Sequence, residues 1–365
     1  MDKIKVFLQK PWKFSDSPYY QYLRQNPPKN IEYINAHEFQ LIQSSKKMRV
    51  NNKLKRFAKI AVRKFLPNLP NAHFTQNSNR YNLIHCTHCL SLNNKPWVAD
   101  IEYAEQFWAA GRTKRKDKVR KLLLNKNCKK ILAWTKWSYE NIIREFPEIK
   151  NKTEIIYPGI PVKKFEKKKT NRINLLFSSR RFFFKGGLHA LEVIDRLTKK
   201  YRNVYGIIVA DVPKEIFSKY SQNEKISFPG FVPQEKLFNE IYPSADIFVY
   251  PSYTDTFGFG LTEALSFGLP IVCVGGYSRK EIVTDGKTGF VIDEPKDFDA
   301  RHLDNLEDYA NIINKLEGKT ELLIKNKKLR KQMSKNAIGE ISEGKFSIKE
   351  RNKKLEKIYE EALKN

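Results

Sequence analysis

Along the second half of the chain, short unbroken apolar runs alternate with segments whose apolar residues recur every three or four positions. "INLLFSS" (173–179) precedes "GGLHALEVIDRLTKKY" (186–201), "VYGIIVA" (204–210) follows, "PQEKLFNEIYPS" (233–244) has helical period, and "DIFVYPS" (246–252) and "PIVCV" (270–274) are again continuous. Strands buried on both faces read as continuous Val, Ile and Phe runs, and strands separated by helices imply right-handed crossovers into a parallel sheet. The pattern predicts a doubly wound α/β domain.

The first half is less regular but similar. "KIKVFLQ" (3–9), "IEYIN" (31–35), "YNLIHC" (81–86), "PWVADIE" (96–102), "KKILAW" (129–134) and "TEIIYP" (153–158) predict strands, with helical segments between several of them. A second Rossmann-like unit follows. The break falls in "GIPVKKFEKKKTNR" (159–172), which strings Gly and Pro onto a solvated Lys run with little apolar content. The expected division is residues 1–165, 166–345 and a terminal segment, 346–365. That segment is an amphipathic helix with Leu355, Ile358, Tyr359 and Leu363 at core spacing, too short to stand alone.

Composition changes the picture in two ways. With 365 residues, 41% of them apolar, the chain is long enough for two full cores. It contains no run of about 18 or more apolar residues and begins without the long apolar segment of a secretory signal, so a cytoplasmic location is expected. Four cysteines suggest no disulfide framework. The 68 Lys and Arg against 40 Asp and Glu leave a net charge of +28, which attracts nucleic acid, anionic lipid or phosphorylated substrates, or reflects a lysine-rich compositional bias.

Candidate chemistry gathers in "SYTDTFGFGLTEALSFGLP" (252–270), directly after a predicted strand. Ligands of parallel α/β sheets bind beyond the carboxyl ends of the strands, where helix N-termini gather. Here the chain turns through Thr254 to Phe257 and enters a helix near Gly258, ending at Gly268 before Pro270. The unpaired N–H groups of a helix N-terminus, here Gly258, Phe259 and Gly260, suit phosphate or sugar oxygens. Asp255 in the loop and Glu263 about one turn into the helix are two acceptors suited to two sets of hydroxyls.

These residues resemble the signature of the retaining, family-four glycosyltransferases of GT-B architecture, the glycosyl transferases group 1 type. An acidic residue, seven residues and a Glu enclose "FGFG"; "FSSRRFFFKGG" is similar to the family's strand-end loop; "ISFPGFVPQEKLFNEIYPSADIFVYPS" is similar to its nucleotide-side segment; and "VGGYSRKEIVTDGKTGFVI" resembles its Gly-Gly loop and closing strand. The resemblance covers about 170 to 365 well and the earlier residues poorly. It implies two Rossmann-like domains facing across a cleft, with the last helix returning to the N-terminal domain. It also implies that Glu263 binds the ribose of a nucleotide-sugar, that Asp255 meets the transferred sugar, and that Arg180 and Lys185 grip the diphosphate. No metal or other cofactor is then expected, because fixed cations and a helix N-terminus stabilise the charge on the departing diphosphate.

The chain departs from the family in several places. Asp255 stands where Glu is most frequent, which puts sugar specificity in doubt. Phe182, Phe183 and Phe184 replace polar residues, and the loop before Glu281 is longer than usual. The first loop, "KPWKFSDSPYY" (10–20), lacks glycine, and Glu102 falls where the family places a histidine near the scissile bond. Asp100 and Glu102 share one side of a strand. A carboxylate there stabilises positive charge at the anomeric carbon, orients the acceptor hydroxyl, or simply caps the next segment.

"HCTHC" (85–89) invites a zinc reading, but tetrahedral sites usually take two separated pairs and no second pair is apparent. "NNKLKRFAKIAVRKFLPNLP" (51–70) sets an apolar stripe among lysines and arginines, suited to an anionic membrane surface or equally to domain packing; "RTKRKDKVRK" (112–121) adds a second basic stretch. The expected partners are therefore a nucleotide-sugar donor, a lipid-linked or glycan acceptor and, through 51–70, the cytoplasmic membrane face. The competing readings are a soluble acceptor, a catalytically silent subunit, and a nucleic-acid-binding protein; no module that reads DNA or RNA is visible.

Overall fold

The computed structural model describes residues 3–10, 18–36, 60, 62, 64–66, 68–75, 80–109, 115–167, 170–294 and 303–364. The chain divides into two compact units, Met1–Ile160 with Lys345–Asn365, and Pro161–Gly344. Much of the basic segment 51–70 (51–59, 61, 63 and 67) lies outside the described residues, as do 11–17 of the first loop and 112–114 of the second basic stretch.

The first unit contains β1 (Ile4–Gln9), β2 (Ile31–Tyr33), β3 (Ala72–His73), β4 (Leu83–Thr87), β5 (Leu90–Ser91), β6 (Trp97–Ile101), β7 (Cys128–Ala133) and β8 (Thr153–Ile155). Six of them form a parallel sheet in the order β2-β1-β4-β6-β7-β8, and β3 pairs with β5 apart from it. Every residue of β4 and β6 is buried, which is why both read as unbroken runs rather than as alternation. Ile84, Trp97, Ala99, Phe107, Ile131 and Phe146 lie in the core on one side.

The terminal helix, Ile348–Lys364, belongs to this first unit. Leu355, Ile358 and Tyr359 are buried as the spacing predicts, but Leu363 is exposed and Ala362 takes the inward position. The buried row steps from 355 to 358, 359 and 362, so position 363 turns off its edge. The helix is fixed by polar contacts as well. Tyr359 Oη lies 3.1 Å from Tyr33 Oη and 2.5 Å from His85 Nδ1, and Arg351 Nη2 donates to the Asn26 carbonyl at 2.6 Å.

The second unit holds β9 (Ile173–Ser178), β10 (Val204–Val209), β11 (Ile226–Ser227), β12 (Ile247–Tyr250), β13 (Ile271–Val274) and β14 (Gly289–Ile292). They form a parallel sheet ordered β11-β10-β9-β12-β13-β14. β12 stops earlier than its apolar run because Pro251 has no N–H to offer a ladder. The helix expected over 233–244 is interrupted by a widened turn at Leu237–Ile241. Pro243 accounts for it, since its ring clashes with the carbonyl four residues back and cannot donate to it.

Strand order reverses between β9 and β12. From β9 the chain crosses to β10 on one side, and from β12 to β13 on the other. Beyond the carboxyl ends of two such strands a crevice opens, because their connections leave in opposite directions. The loops that follow β9 and β12 border it.

Candidate functional site

The loop after β9 carries Arg180 and Lys185, and the loop after β12 carries Asp255 and Gly258. The two loops are in contact. Lys185 Nζ pairs with Asp255 Oδ1, and Thr254 Oγ1 donates to the Phe184 carbonyl at 3.1 Å. Gly186 makes the approach possible: its φ is 67°, and a Cβ there would lie 2.2 Å from the Pro251 carbonyl oxygen. The other oxygen of Asp255 accepts from Tyr250 Oη at 2.7 Å. The shorter acid is thus held between an ammonium and a phenol that comes from the end of β12.

Gly258, at φ 84°, turns the chain into the helix Phe259–Ser266. Phe259 lies against Phe257, their ring centroids 4.7 Å apart and tilted by 56°, and Gly260 lies near the hydroxyl end of Tyr250. Glu263, in the same helix, is 8% exposed. Burial pushes its carboxyl up to about 7, opposed by Arg180, Lys163 and hydrogen bonds from Tyr242 and Gln234. The Tyr242 contact is long, 3.5 Å. A buried acid with two cations in its field and spare acceptor capacity is suited to receive hydroxyl donors from a ligand.

Lys163 corrects the reading of 159–172 as a solvated run. Its Nζ sits 4.7 Å from the Phe238 ring centroid, and burial lowers its pKa against the pull of Glu263. Lys167 is likewise paired, 2.8 Å from Asp246 Oδ1. Val162 and Phe165 on either side of Lys163 and Lys164 were the signal that a lysine stem could pack. Of the three phenylalanines, Phe182 is buried against Phe177, whereas Phe184 is 50% exposed.

In the first unit the candidate acids separate. Asp100 lies in β6, fully buried, and accepts from His85 Nε2 at 2.6 Å. That bond leaves His85 Nδ1 to accept from Tyr359, so Asp100 belongs to the buried chain that anchors the terminal helix. Glu102 lies past the end of β6 and is half-buried; its backbone N–H donates to Gln106 Oε1 at 2.8 Å. The short helix Ala104–Phe107 that follows has no side-chain cap.

His88, read from the sequence only as part of "HCTHC", stands at the end of β4 with φ 57°. Its Nδ1 is 2.9 Å from Gln106 Oε1, the oxygen that already accepts from Glu102. Because a main-chain N–H can only donate, the amide orientation is settled, and Nδ1 must carry the proton. A neutral His88 therefore presents Nε2 as an acceptor. The remaining members of the motif go elsewhere: the Cys86 and Cys89 thiols are buried and donate to Gln9. Among the described residues no group of three or more His, Cys, Asp or Glu could hold a metal ion.

Around the basic segment, the described Ile60, Phe65, Leu66 and Leu69 are all exposed, Phe65 at 72%. No helix among the described residues is long and apolar enough to cross a membrane.

Comparison with known proteins bears on the fold. Residues 161–340 match the family described as Glycosyl transferases group 1. The chain is 39% identical over 90 residues to the O-antigen chain mannosyltransferase B of Escherichia coli, covering 25% of this chain and 23% of that protein. It is 26% identical over 232 residues to an uncharacterized 41.2 kDa protein in the cps region of Klebsiella pneumoniae, covering 59% and 58%. The chain thus spans less than two thirds of these relatives. Among solved structures, a glycosyltransferase from Rickettsia africae superposes with a TM-score of 0.64 at 16% identity, covering 100% of this chain and 99% of that one. Anabaena HepE in complex with UDP and glucose gives 0.58 at 16%, covering 98% and 100%. WaaG, a glycosyltransferase involved in lipopolysaccharide biosynthesis, gives 0.57 at 17%, covering 97% and 99%. The chain has the α/β fold of the GT-B glycosyltransferases.

Proposed function

We propose that this chain is a glycosyltransferase that binds a nucleoside-diphosphate sugar on its second unit and transfers the sugar, with retention, to an acceptor hydroxyl in polysaccharide or lipopolysaccharide-type synthesis. The observation that carries the reading is the meeting of the β9 and β12 loops at the point where strand order reverses. Arg180, Lys185 and the amides at Gly258 supply positive charge where a diphosphate would lie. Glu263 accepts the ribose hydroxyls, and Asp255 accepts from the sugar.

Breaking the glycosidic bond leaves negative charge on the diphosphate, and Lys185 is placed to exchange its Asp255 partner for a phosphate oxygen. Asp255, still held by Tyr250, is then freed to take sugar hydroxyls. Charge-assisted contacts aimed at a developing anion are among the largest contributions to such catalysis. Same-face attack by the acceptor hydroxyl, which passes its proton to the departing phosphate, requires no covalent enzyme intermediate and no metal. In the first unit, His88 Nε2 and Glu102 lie at the carboxyl ends of their strands, where an acceptor would be bound.

The membrane-surface assignment rests on the exposed Ile60, Phe65, Leu66 and Leu69 within a basic segment, which suit the headgroup region of an anionic cytoplasmic face. Thermal shift against a panel of UDP-, GDP- and ADP-sugars tests the donor assignment, since a ligand selective for the folded state raises its stability. One sugar nucleotide should raise the melting temperature, and Glu263→Ala and Lys185→Ala should each lose most transfer while staying folded. Unchanged turnover in both variants would reject the site.

A further inference from the structure

The loop between β13 and the segment at Arg279–Ile282 lies against the loop that carries Asp255. It delivers one arginine to the interior. Arg279 has no exposed side-chain surface. Its Nε donates to the carbonyls of Val274 at 2.7 Å and Gly275 at 3.0 Å, and Nη2 also contacts the Gly275 oxygen. Nη1 donates to the carbonyl of Asp255 at 3.1 Å, and Nη2 reaches toward that of Tyr253 at 3.5 Å. The carboxylate bonded to it is Glu294, at 3.4 Å and one third exposed. The guanidinium therefore joins the two loops that follow β12 and β13 mainly through main-chain oxygens.

We infer that Arg279 is a positioning residue of the donor site: by drawing the carbonyls of Tyr253 and Gly275 inward, it turns the amides of Thr254 and Gly276 outward toward the diphosphate, while its bond to the Asp255 carbonyl fixes the loop between them. This rests on the donor-site reading above. The geometry is a property of the peptide unit. In a planar trans peptide the C=O of one residue and the N–H of the next point in opposite directions, so a donor that captures the carbonyl aims the following N–H away from itself. Amides of two neighbouring loops aimed the same way give an anion donors from both sides.

Gly276 fits the arginine as much as any ligand. Gly276 has φ 104°, and a Cβ there would lie 2.5 Å from Arg279 Nη2 and 2.6 Å from Glu294 Oε2. Lysine would not reproduce the set, because its donors all sit on one nitrogen, whereas the arginine contacts are spread over Nε, Nη1 and Nη2. Burial lowers the pKa of Arg279, yet a guanidinium keeps its proton, so a fixed cation lies directly beneath the Asp255 loop.

The experiment uses the full chain, with UDP, GDP and ADP compared against the matching nucleosides. In the wild type, the amide resonances of Thr254 and Gly276 should shift on adding the preferred diphosphate and stay in place with its nucleoside. In Arg279→Lys and in Gly276→Ala, whose Cβ displaces the guanidinium, diphosphate affinity should fall tenfold or more while nucleoside affinity holds. A merely structural arginine would weaken both ligands together or neither, and that result overturns the inference. So does the absence of amide shifts on diphosphate binding, a readout that needs no variant to fold. If the wild type binds none of the three diphosphates, the donor-site reading itself fails, a separable outcome.

Discussion

Glu263→Gln is the most informative substitution, because it should make the protein more stable and less able to bind. Burial raises the Glu263 carboxyl from 4.5 to about 7. At about 1.4 kcal/mol per unit, that is roughly 3 kcal/mol of folding free energy. The direction is that of a raised acid. The folded state holds the proton more tightly than the unfolded chain, so its advantage is complete below about 4.5 and is lost as pH climbs to about 7. Glutamine cannot ionise and removes this dependence. Urea unfolding of both proteins from pH 4.5 to pH 8 should show the variant gaining on the wild type by roughly 3 kcal/mol across that interval, then levelling off. In parallel, nucleotide affinity at pH 8 should drop about tenfold or more, since hydrogen bonds to a charged acceptor contribute about 1.5–3 kcal/mol. A stability difference that stays flat with pH would refute the claim that an ionised Glu263 is held at a cost for ligand binding.

Tyr250→Phe removes the phenol that holds Asp255 at 2.7 Å; transfer should slow about tenfold with nucleotide affinity intact, measured by steady-state kinetics and calorimetry. Tyr359→Phe leaves buried His85 Nδ1 without its donor and should cost about 1–3 kcal/mol in urea unfolding, with no change in nucleotide binding. Replacing the exposed Phe65 and Leu66 with serine should reduce flotation with anionic vesicles and leave neutral vesicles unaffected, and equal binding by variant and wild type would remove the membrane assignment.

Hydrophobic periodicity made the sheets legible because β4, β6, β12 and β13 are buried on both faces, and such strands cannot hide among polar neighbours. It could not show strand order, which depends on where each crossover lands. The acids and glycines of 252–270 were visible as a local pattern. Their partners were not. Tyr250 reads as one more aromatic in an apolar run, and nothing in its neighbours marks the phenol that reaches Asp255. Arg279 reads as a surface charge in "YSRKE", since only the return of the β13 loop beneath residues 253–255 buries it. Lys163 illustrates the opposite error, in which a long aliphatic stem lets a residue in a charged run lie against Phe238. Asp100 and Glu102 are two residues apart in sequence, but β6 ends between them, and that ending gives one to the core and leaves the other beyond the carboxyl end of the strand.

The central claim is that a diphosphate lies between the β9 and β12 loops. A crystal structure with the sugar nucleotide that gives the largest thermal shift tests it most directly. The account predicts phosphate oxygens on Lys185 and the Gly258 amide, the Lys185–Asp255 pair opened, and ribose hydroxyls on Glu263. A nucleotide bound elsewhere, with Lys185 still on Asp255, would contradict it.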